Sequence, residues 1–270
     1  MISTVLVTEK LTPEGMDVLE RGGLKILLPK ENSQSSFEEL LPEADAIVLR
    51  TNVTVDAKCI EKAPRLKIVA RTGAGYDNVD VAAATAHGVL VCNLVGVNSV
   101  SVAEHASALI LSLAKQLPYY DRSVRTGDWK ARRSMAAIEL EGKILGVAAM
   151  GNVGSKVARI AHDAFGMKVL AFDPYVKDKF AGFDYRFVDD LPALFRESDF
   201  ISLHLPSIPE MKGVVNAALI GLMKKSAYLI NTARGDLINQ EDLIAALRDK
   251  RIAGAALDVF VDEPPDDDSP

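Results

Sequence analysis

The sequence is poor in the residues that staple, ligate and span. Its 270 residues include only two cysteines, Cys59 and Cys92, and four histidines. Two thiols set no disulfide framework, and neither falls in a metal-ligand spacing such as C-x-x-C, so no metal site is expected. Both are read as buried thiols of a reducing cytoplasm. No apolar run approaches the roughly 18 residues of a membrane span. The first residues, Met1-Ile2-Ser3-Thr4-Val5, lack the basic stretch and apolar core of a secretion signal. Cytoplasmic residence without a membrane partner is the expectation. A net positive charge is also lacking: the net charge of -6 argues against nucleic acid as a partner.

What is present is ordinary for a globular chain, 49% hydrophobic and 25% charged, and long enough for two domains. Short apolar runs alternate with helical patterns throughout. Thr4–Val7, Lys25–Leu28, Ala46–Leu49, Leu66–Ala70 and Val89–Val91 read as strands, and Thr12–Arg21 as a helix with Pro13 at a tolerated early position. They outline a small α/β domain over residues 1–97. A long helix follows at Ser101–Lys115, with Ser99 and Ser101 as candidate caps and small or apolar residues on most faces, so it is expected to be buried. An arginine-rich connection containing Trp129 leads on. Helices at Leu191–Arg196, Ala218–Leu222 and Gln240–Leu247 alternate with strands at Phe200–Leu203, Ala227–Ile230 and Ala253–Leu257. Sequential units of this kind predict an α/β fold with a doubly wound parallel sheet over residues 98–270. The acidic, proline-rich end, residues 262–270, is not expected to hold regular structure.

The most specific local signal is Ile144-Leu145-Gly146-Val147-Ala148-Ala149-Met150-Gly151-Asn152-Val153-Gly154, followed by an amphipathic run and then Val169-Leu170-Ala171-Phe172-Asp173. Strand, glycine turn, helix, strand and terminal acid follow in the order that a dinucleotide-binding βαβ unit requires. Gly151 lets a pyrophosphate approach the backbone, and Gly154 lets the helix pack close to the strand. The helix N-terminus offers N–H groups to the phosphates. Asp173, about 20 residues beyond the turn, suits the two ribose hydroxyls and repels a 2′-phosphate, which favours NAD over NADP. An ordinary strand–turn–helix with a solubilising aspartate is the competing reading. The first glycine of the pattern is replaced by Ala149, expected to lack access to the unusual φ/ψ values of that position.

Ligands of open parallel sheets gather at the carboxyl ends of strands. Arg50, Arg71 to Asn78, Asn152, Asp173, His204 to Pro206, Asn231 to Arg234 and Asp258 to Glu263 all stand there. Several of these stretches, with Gly73-Ala74-Gly75-Tyr76-Asp77-Asn78-Val79-Asp80, Ser101-Val102-Ala103-Glu104-His105, Gly142-Lys143-Ile144-Leu145-Gly146, His204-Leu205-Pro206, Ile230-Asn231-Thr232-Ala233-Arg234-Gly235 and Ala256-Leu257-Asp258-Val259-Phe260, resemble the D-isomer-specific 2-hydroxyacid dehydrogenases.

The resemblance implies a Rossmann-type domain beside a flavodoxin-like substrate-binding domain. It also implies a homodimer formed through the nucleotide domain, NAD as cofactor, and a 2-hydroxy or 2-keto acid as partner. By the same resemblance Arg234 binds the substrate carboxylate and polarises the reacting oxygen, and Glu263 pairs with a catalytic histidine. Ala74 and Gly75 offer their N–H groups to the substrate carboxylate. Thr232 and Asp258 approach the nicotinamide, and His204 and Pro206 border the cofactor, though His204 reads equally well as a packing residue. By the same resemblance Asn152 and Val153 face the pyrophosphate, and Asn152 departs from the arginine of many relatives, removing one phosphate contact. Arg50, Arg71 and the cluster Lys130-Ala131-Arg132-Arg133 point to the D-3-phosphoglycerate branch, with arginines neutralising a phosphate. Ordinary salt-bridged arginines, and reduction of glyoxylate or hydroxypyruvate, stay open beside it. So does a non-catalytic NAD-sensing corepressor role.

The family's acid–base histidine belongs to a Pro-His segment after the Glu263 region. His87, His105, His162 and His204 all match other positions. The expectation is a chain that binds NAD and turns over poorly.

Overall fold

A computed structural model describes residues 2–133, 137–266 and 268–269. Met1, Ser134–Ala136 of the arginine-rich connection, and Asp267 and Pro270 of the acidic tail lie outside the described residues. The chain divides into two compact units, Met1–Asn98 and Ser99–Pro270.

The first unit is a parallel sheet of β1 (Thr4–Val7), β2 (Lys25–Leu27), β3 (Ala46–Leu49), β4 (Ile68–Arg71) and β5 (Leu90–Cys92), in the order β2-β1-β3-β4-β5. That is the flavodoxin-like order. Its central strands are apolar on both faces because helices cover both: Leu6, Ile47, Leu49 and Val69 are fully buried, as are Val5 and Val7 on the opposite side. The helices are α1 (Pro13–Arg21), α2 (Gln34–Glu38), α3 (Ala57–Glu61) and α4 (Val81–Ala86). Each begins at a side-chain cap, Thr12, Ser33, Asp56 and Asp80. The last three are absent from the sequence expectation, because five or six residues are too few to show a helical period. Asp45 pins the start of β1, accepting hydrogen bonds from Ser3 Oγ (2.7 Å), Ser3 N–H (2.9 Å) and Thr4 N–H (2.9 Å) and pairing with Arg65. These bonds, the Ser3 hydroxyl first, hold its carboxyl far below the usual range.

The second unit opens with α5 (Ser99–Lys115) and α6 (Leu117–Arg125). It then alternates β6 (Ile144–Ala148), α7 (Gly154–Phe165), β7 (Lys168–Phe172), β8 (Tyr185–Phe187), α8 (Leu191–Glu197), β9 (Phe200–Leu203), α9 (Ala217–Ile220), β10 (Tyr228–Asn231), α10 (Gln240–Arg248) and β11 (Gly254–Leu257). All six strands are parallel, in the order β11-β10-β9-β6-β7-β8. Counted from β6, this is the dinucleotide-binding order, which reverses between β6 and β9 and opens a crevice at their carboxyl ends. Alternate residues of β6 enter different cores: Leu145 and Val147 pack with α5 and α7 residues, and Ala148 with Phe195 and Leu203.

Two expectations are corrected. Cys59 is buried, but Cys92, ending an edge strand, is exposed. The long helix α5 buries one stripe, Ala103, Ala106, Ile110 and Ala114, and leaves Val100, Glu104 and His105 exposed, so small residues on most faces do not here mean burial on all of them. β8 escaped the sequence reading because Arg186 separates its two aromatic residues and leaves no apolar run.

Candidate active site

The glycine turn closes β6 at the switch point. Gly151, Asn152, Val153 and Gly154 present N–H groups that have no hydrogen-bond partner among the described residues, and α7 has no side-chain cap. A helix N-terminus left open in this way is a cradle for an anion. At Gly151 an added Cβ would meet nothing within 4 Å, so the backbone is open to a ligand. At Gly154 an added Cβ would lie 2.0 Å from the Ala149 carbonyl oxygen, so this glycine permits close packing of helix on turn. Ala149 does adopt the left-handed region, with φ at 78°. The sharp turn is therefore made at the cost of strain rather than avoided. Replacing Ala149 by glycine is expected to raise the stability of this unit by about 1 kcal/mol, read as a higher urea midpoint at unchanged m-value.

Asp173 follows β7 and is fastened to the turn: Oδ2 accepts from Met150 N–H at 2.9 Å and Oδ1 from Tyr175 N–H at 2.9 Å. Each oxygen keeps a lone pair for a further donor. His204 follows β9, and its ring lies behind the turn, its Cδ2 being 3.2 Å from the Cβ position of Gly154. Its Nε2 shares a 2.9 Å hydrogen bond with the buried Ser202 hydroxyl. Burial pushes the imidazole down to about 4, so at neutral pH it packs as an uncharged ring. Pro206 is exposed two residues on.

The end of β10 carries a second group. Asn231 is fully buried; its Oδ1 accepts from Ala233 N–H (3.0 Å), its Nδ2 donates to Arg234 O (2.8 Å), and its carbonyl accepts from Asp258 N–H (3.0 Å). One side chain thus fixes the Arg234 turn and anchors the residue after β11. Sequence reading placed Asn231 at a strand end but gave it no role; a polar residue closing an apolar strand was the available signal. Thr232, 8% exposed, has an Oγ1 without a partner among the described residues. An orphaned buried hydroxyl costs free energy unless a ligand meets it. Arg234 is half-buried and donates to the Ala233 carbonyl at 2.7 Å. A Cβ on Gly235 would stand 1.9 Å from the Phe260 carbonyl oxygen, so the stretch after β11 lies directly on this turn. There the exposed Glu263 accepts from Phe260 N–H at 3.0 Å, which keeps Glu263 and Arg234 on one side of the unit. Asp258 faces His105, with Nε2 to Oδ1 at 3.3 Å.

Free amides, a glycine without a Cβ contact, an anchored carboxylate and an orphaned hydroxyl, all at the carboxyl edge of one sheet, fit a dinucleotide.

In the first unit, Arg50 and Arg71 leave the adjacent strands β3 and β4 at the same end. The Arg71 guanidinium lies against Gly73 and donates to Asn78 Oδ1 at 3.3 Å. Arg50 is paired with Glu9 at 3.4 Å. The loop at Gly73–Gly75 is tied down by Asn93 Nδ2 to Ala74 O (2.6 Å) and Leu94 N–H to Gly73 O (3.1 Å). The Ala74 and Gly75 N–H groups have no partner among the described residues. In the cluster after α6, Arg132 stacks over Trp129 at 5.0 Å.

The model of the D-isomer specific 2-hydroxyacid dehydrogenase NAD binding domain matches residues 107–270. The chain belongs to that family. It is 39% identical over 263 residues to a D-3-phosphoglycerate dehydrogenase of Synechocystis sp., covering 97% of this chain and 47% of the relative. With the enzyme of the same name from Methanocaldococcus jannaschii it shares 39% over 264 residues, covering 97% and 50%. Among solved structures, D-lactate dehydrogenase from Aquifex aeolicus, complexed with NAD and lactic acid, superposes with a TM-score of 0.88 at 31% identity over 97% of this chain and 78% of that one. The chain therefore spans about half the length of the curated relatives it matches. Family membership makes the dinucleotide of this site NAD.

Proposed function

We propose that the protein is an NAD-linked oxidoreductase acting on a D-2-hydroxy acid or its 2-keto acid, with D-3-phosphoglycerate as substrate. The observation that carries this reading is the Asn231 hub, which bonds the backbones of both Arg234 and Asp258 on the sheet whose switch point offers the open amides. When bound, NAD supplies the acceptor or donor of the hydride.

The chain's own residues do the rest. The amides of residues 151–154 hold the pyrophosphate, Asp173 the ribose hydroxyls, and Thr232 and Asp258 the nicotinamide end. Arg234 binds the substrate carboxylate and polarises the reacting oxygen, as a planar cation suits a 2-keto acid. In the first unit the Ala74 and Gly75 amides form a nest for a carboxylate, and Arg50 and Arg71 suit a phosphate. Glu263 is the partner of an acid–base histidine. Among the described residues no histidine meets Glu263: His87 bonds the Ala83 carbonyl, His105 faces Asp258, His162 packs on Tyr185, and His204 lies behind the turn.

A second reading, reduction of glyoxylate or hydroxypyruvate, is favoured by the Arg50–Glu9 pair, which offsets one of the two charges available to a phosphate. The homodimer is supported by exposed Val100, Leu117, Val124 and Trp129 on one stretch of the second unit.

Titration of the purified chain with NAD and NADP, by calorimetry, tests the cofactor reading. NAD is expected to bind the more tightly, and Asp173→Asn to narrow the preference by about tenfold. Equal affinities in the unaltered protein would sink it. Turnover of 3-phosphoglycerate, hydroxypyruvate and glyoxylate ranks the substrates.

A further inference from the structure

His105 stands on α5, a helix of 17 residues that packs against β10 and β11, so a rigid element rather than a loop carries its ring. Its Nε2 lies 3.3 Å from Asp258 Oδ1, and the two side chains are 48% and 51% exposed. The backbone of Asp258 is already fixed through its N–H to Asn231 O at 3.0 Å. What remains free in Asp258 is the side chain. A carboxylate on an exposed strand end samples several rotamers, and a donor on one oxygen selects among them. With Oδ1 facing the His105 ring, Oδ2 is left for a ligand.

We propose that His105 is a positioning residue: by orienting the Asp258 carboxylate it sets the preference of the site for oxidised over reduced nicotinamide. The inference rests on the reading that Asp258 meets the nicotinamide end of the cofactor. The oxidised ring carries a positive charge and the reduced ring none. A carboxylate held at a fixed short distance attracts the first and is nearly indifferent to the second, and the attraction weakens when the carboxylate swings into solvent. An imidazole whose Nε2 stands 3.3 Å from Oδ1, carried on a rigid helix, supplies this order. The family match and the fold leave His105 without a role, and its contact with Asp258 joins residues far apart in the chain.

The test is the ratio of NADH to NAD dissociation constants for the full 270-residue chain at pH 8, where histidine is ordinarily uncharged. ADP-ribose, which has no nicotinamide, is the control. Asp258→Asn is expected to lower the ratio, and His105→Ala to lower it by about threefold to tenfold, mainly by weakening NAD. His105→Gln, which keeps a donor, is expected to restore most of the loss. In the Asp258→Asn background, His105→Ala should change nothing further. ADP-ribose should bind every variant alike. An unchanged ratio in His105→Ala, with Asp258→Asn lowering it, overturns the positioning role and spares the placement of Asp258. An unchanged ratio in Asp258→Asn overturns the placement and the inference with it. Loss of ADP-ribose binding in His105→Ala, or failure of His105→Gln to rescue, assigns His105 to structure alone and also overturns the proposal.

Discussion

Replacing Gly154 by alanine is expected to cost the second unit about 3 kcal/mol and to weaken NAD binding by more than about tenfold. The new Cβ would stand 2.0 Å from the Ala149 carbonyl oxygen and 3.1 Å from its carbon. Both are backbone atoms, so no rotamer change relieves the contact. Ala149 cannot retreat cheaply either, since it already sits at a φ of 78°. The turn must then move away from α7, taking with it the amides of residues 151–153 and the Met150 N–H that anchors Asp173. Gly151→Ala supplies the contrast. Its Cβ would meet nothing within 4 Å, so stability should stay within about 0.5 kcal/mol while NAD affinity falls, because the methyl group occupies ligand space. Urea unfolding followed by the fluorescence of Trp129, the one tryptophan and a member of the second unit, separates the two variants. Unaltered stability and affinity in Gly154→Ala would show that the close approach of helix and turn is not what the site depends on.

The same turn shows how far the sequence could be read. Strand, turn, helix and acid are contiguous, and each announces itself by a local rule: an apolar run, a glycine, a 3.6-residue period and a charge at the next strand end. The rule for Ala149 misled in one respect. Propensity says alanine avoids the left-handed region, yet the flanking ladder, with Ala149 N–H bonded to Phe172 O and Met150 N–H to Asp173, imposes that conformation regardless. The helices α2, α3 and α4 were illegible for the opposite reason: with five or six residues each, they owe their existence to caps and to the sheet beneath them rather than to a period of their own.

Residues that act through contacts distant in sequence were harder still. Asn231 bonds to Ala233, Arg234 and Asp258, and only the last of these reaches across strands. A polar side chain buried at a strand end is a signal that something is held there, and the sequence does not say what. His105 matched a family stretch without a function, and its meeting with Asp258 depends on how α5 lies across β11. Arg50 illustrates the converse. Its position at a strand end left a phosphate partner and an ordinary ion pair both open, and Glu9, from the loop after β1, engages it.

His204 was legible as a residue of the crevice and ambiguous in kind, and its environment gives the second large prediction. Burial lowers its folded-state pKa to about 4, against about 6.5 in the unfolded chain. Between those values the unfolded chain binds the proton more readily, so stability falls as pH falls through the window. Above about pH 6.5 the ring is neutral in both states and costs nothing; below about pH 4 the full penalty, about 3 kcal/mol, is present. His204→Gln removes the titrating group and keeps a polar atom for Ser202. Its stability relative to the unaltered protein should therefore rise by about 3 kcal/mol on going from pH 7.5 to pH 4. Urea titrations at pH 7.5, 6, 5 and 4, again followed through Trp129, give this difference directly. Comparing the two proteins at each pH cancels the acid response of the carboxylates they share, Asp45 included, and leaves the histidine alone. A difference that stays constant across the series would mean that the ring behind the glycine turn takes up its proton as freely as it does in the unfolded chain, and that the turn is backed by water rather than by packed protein.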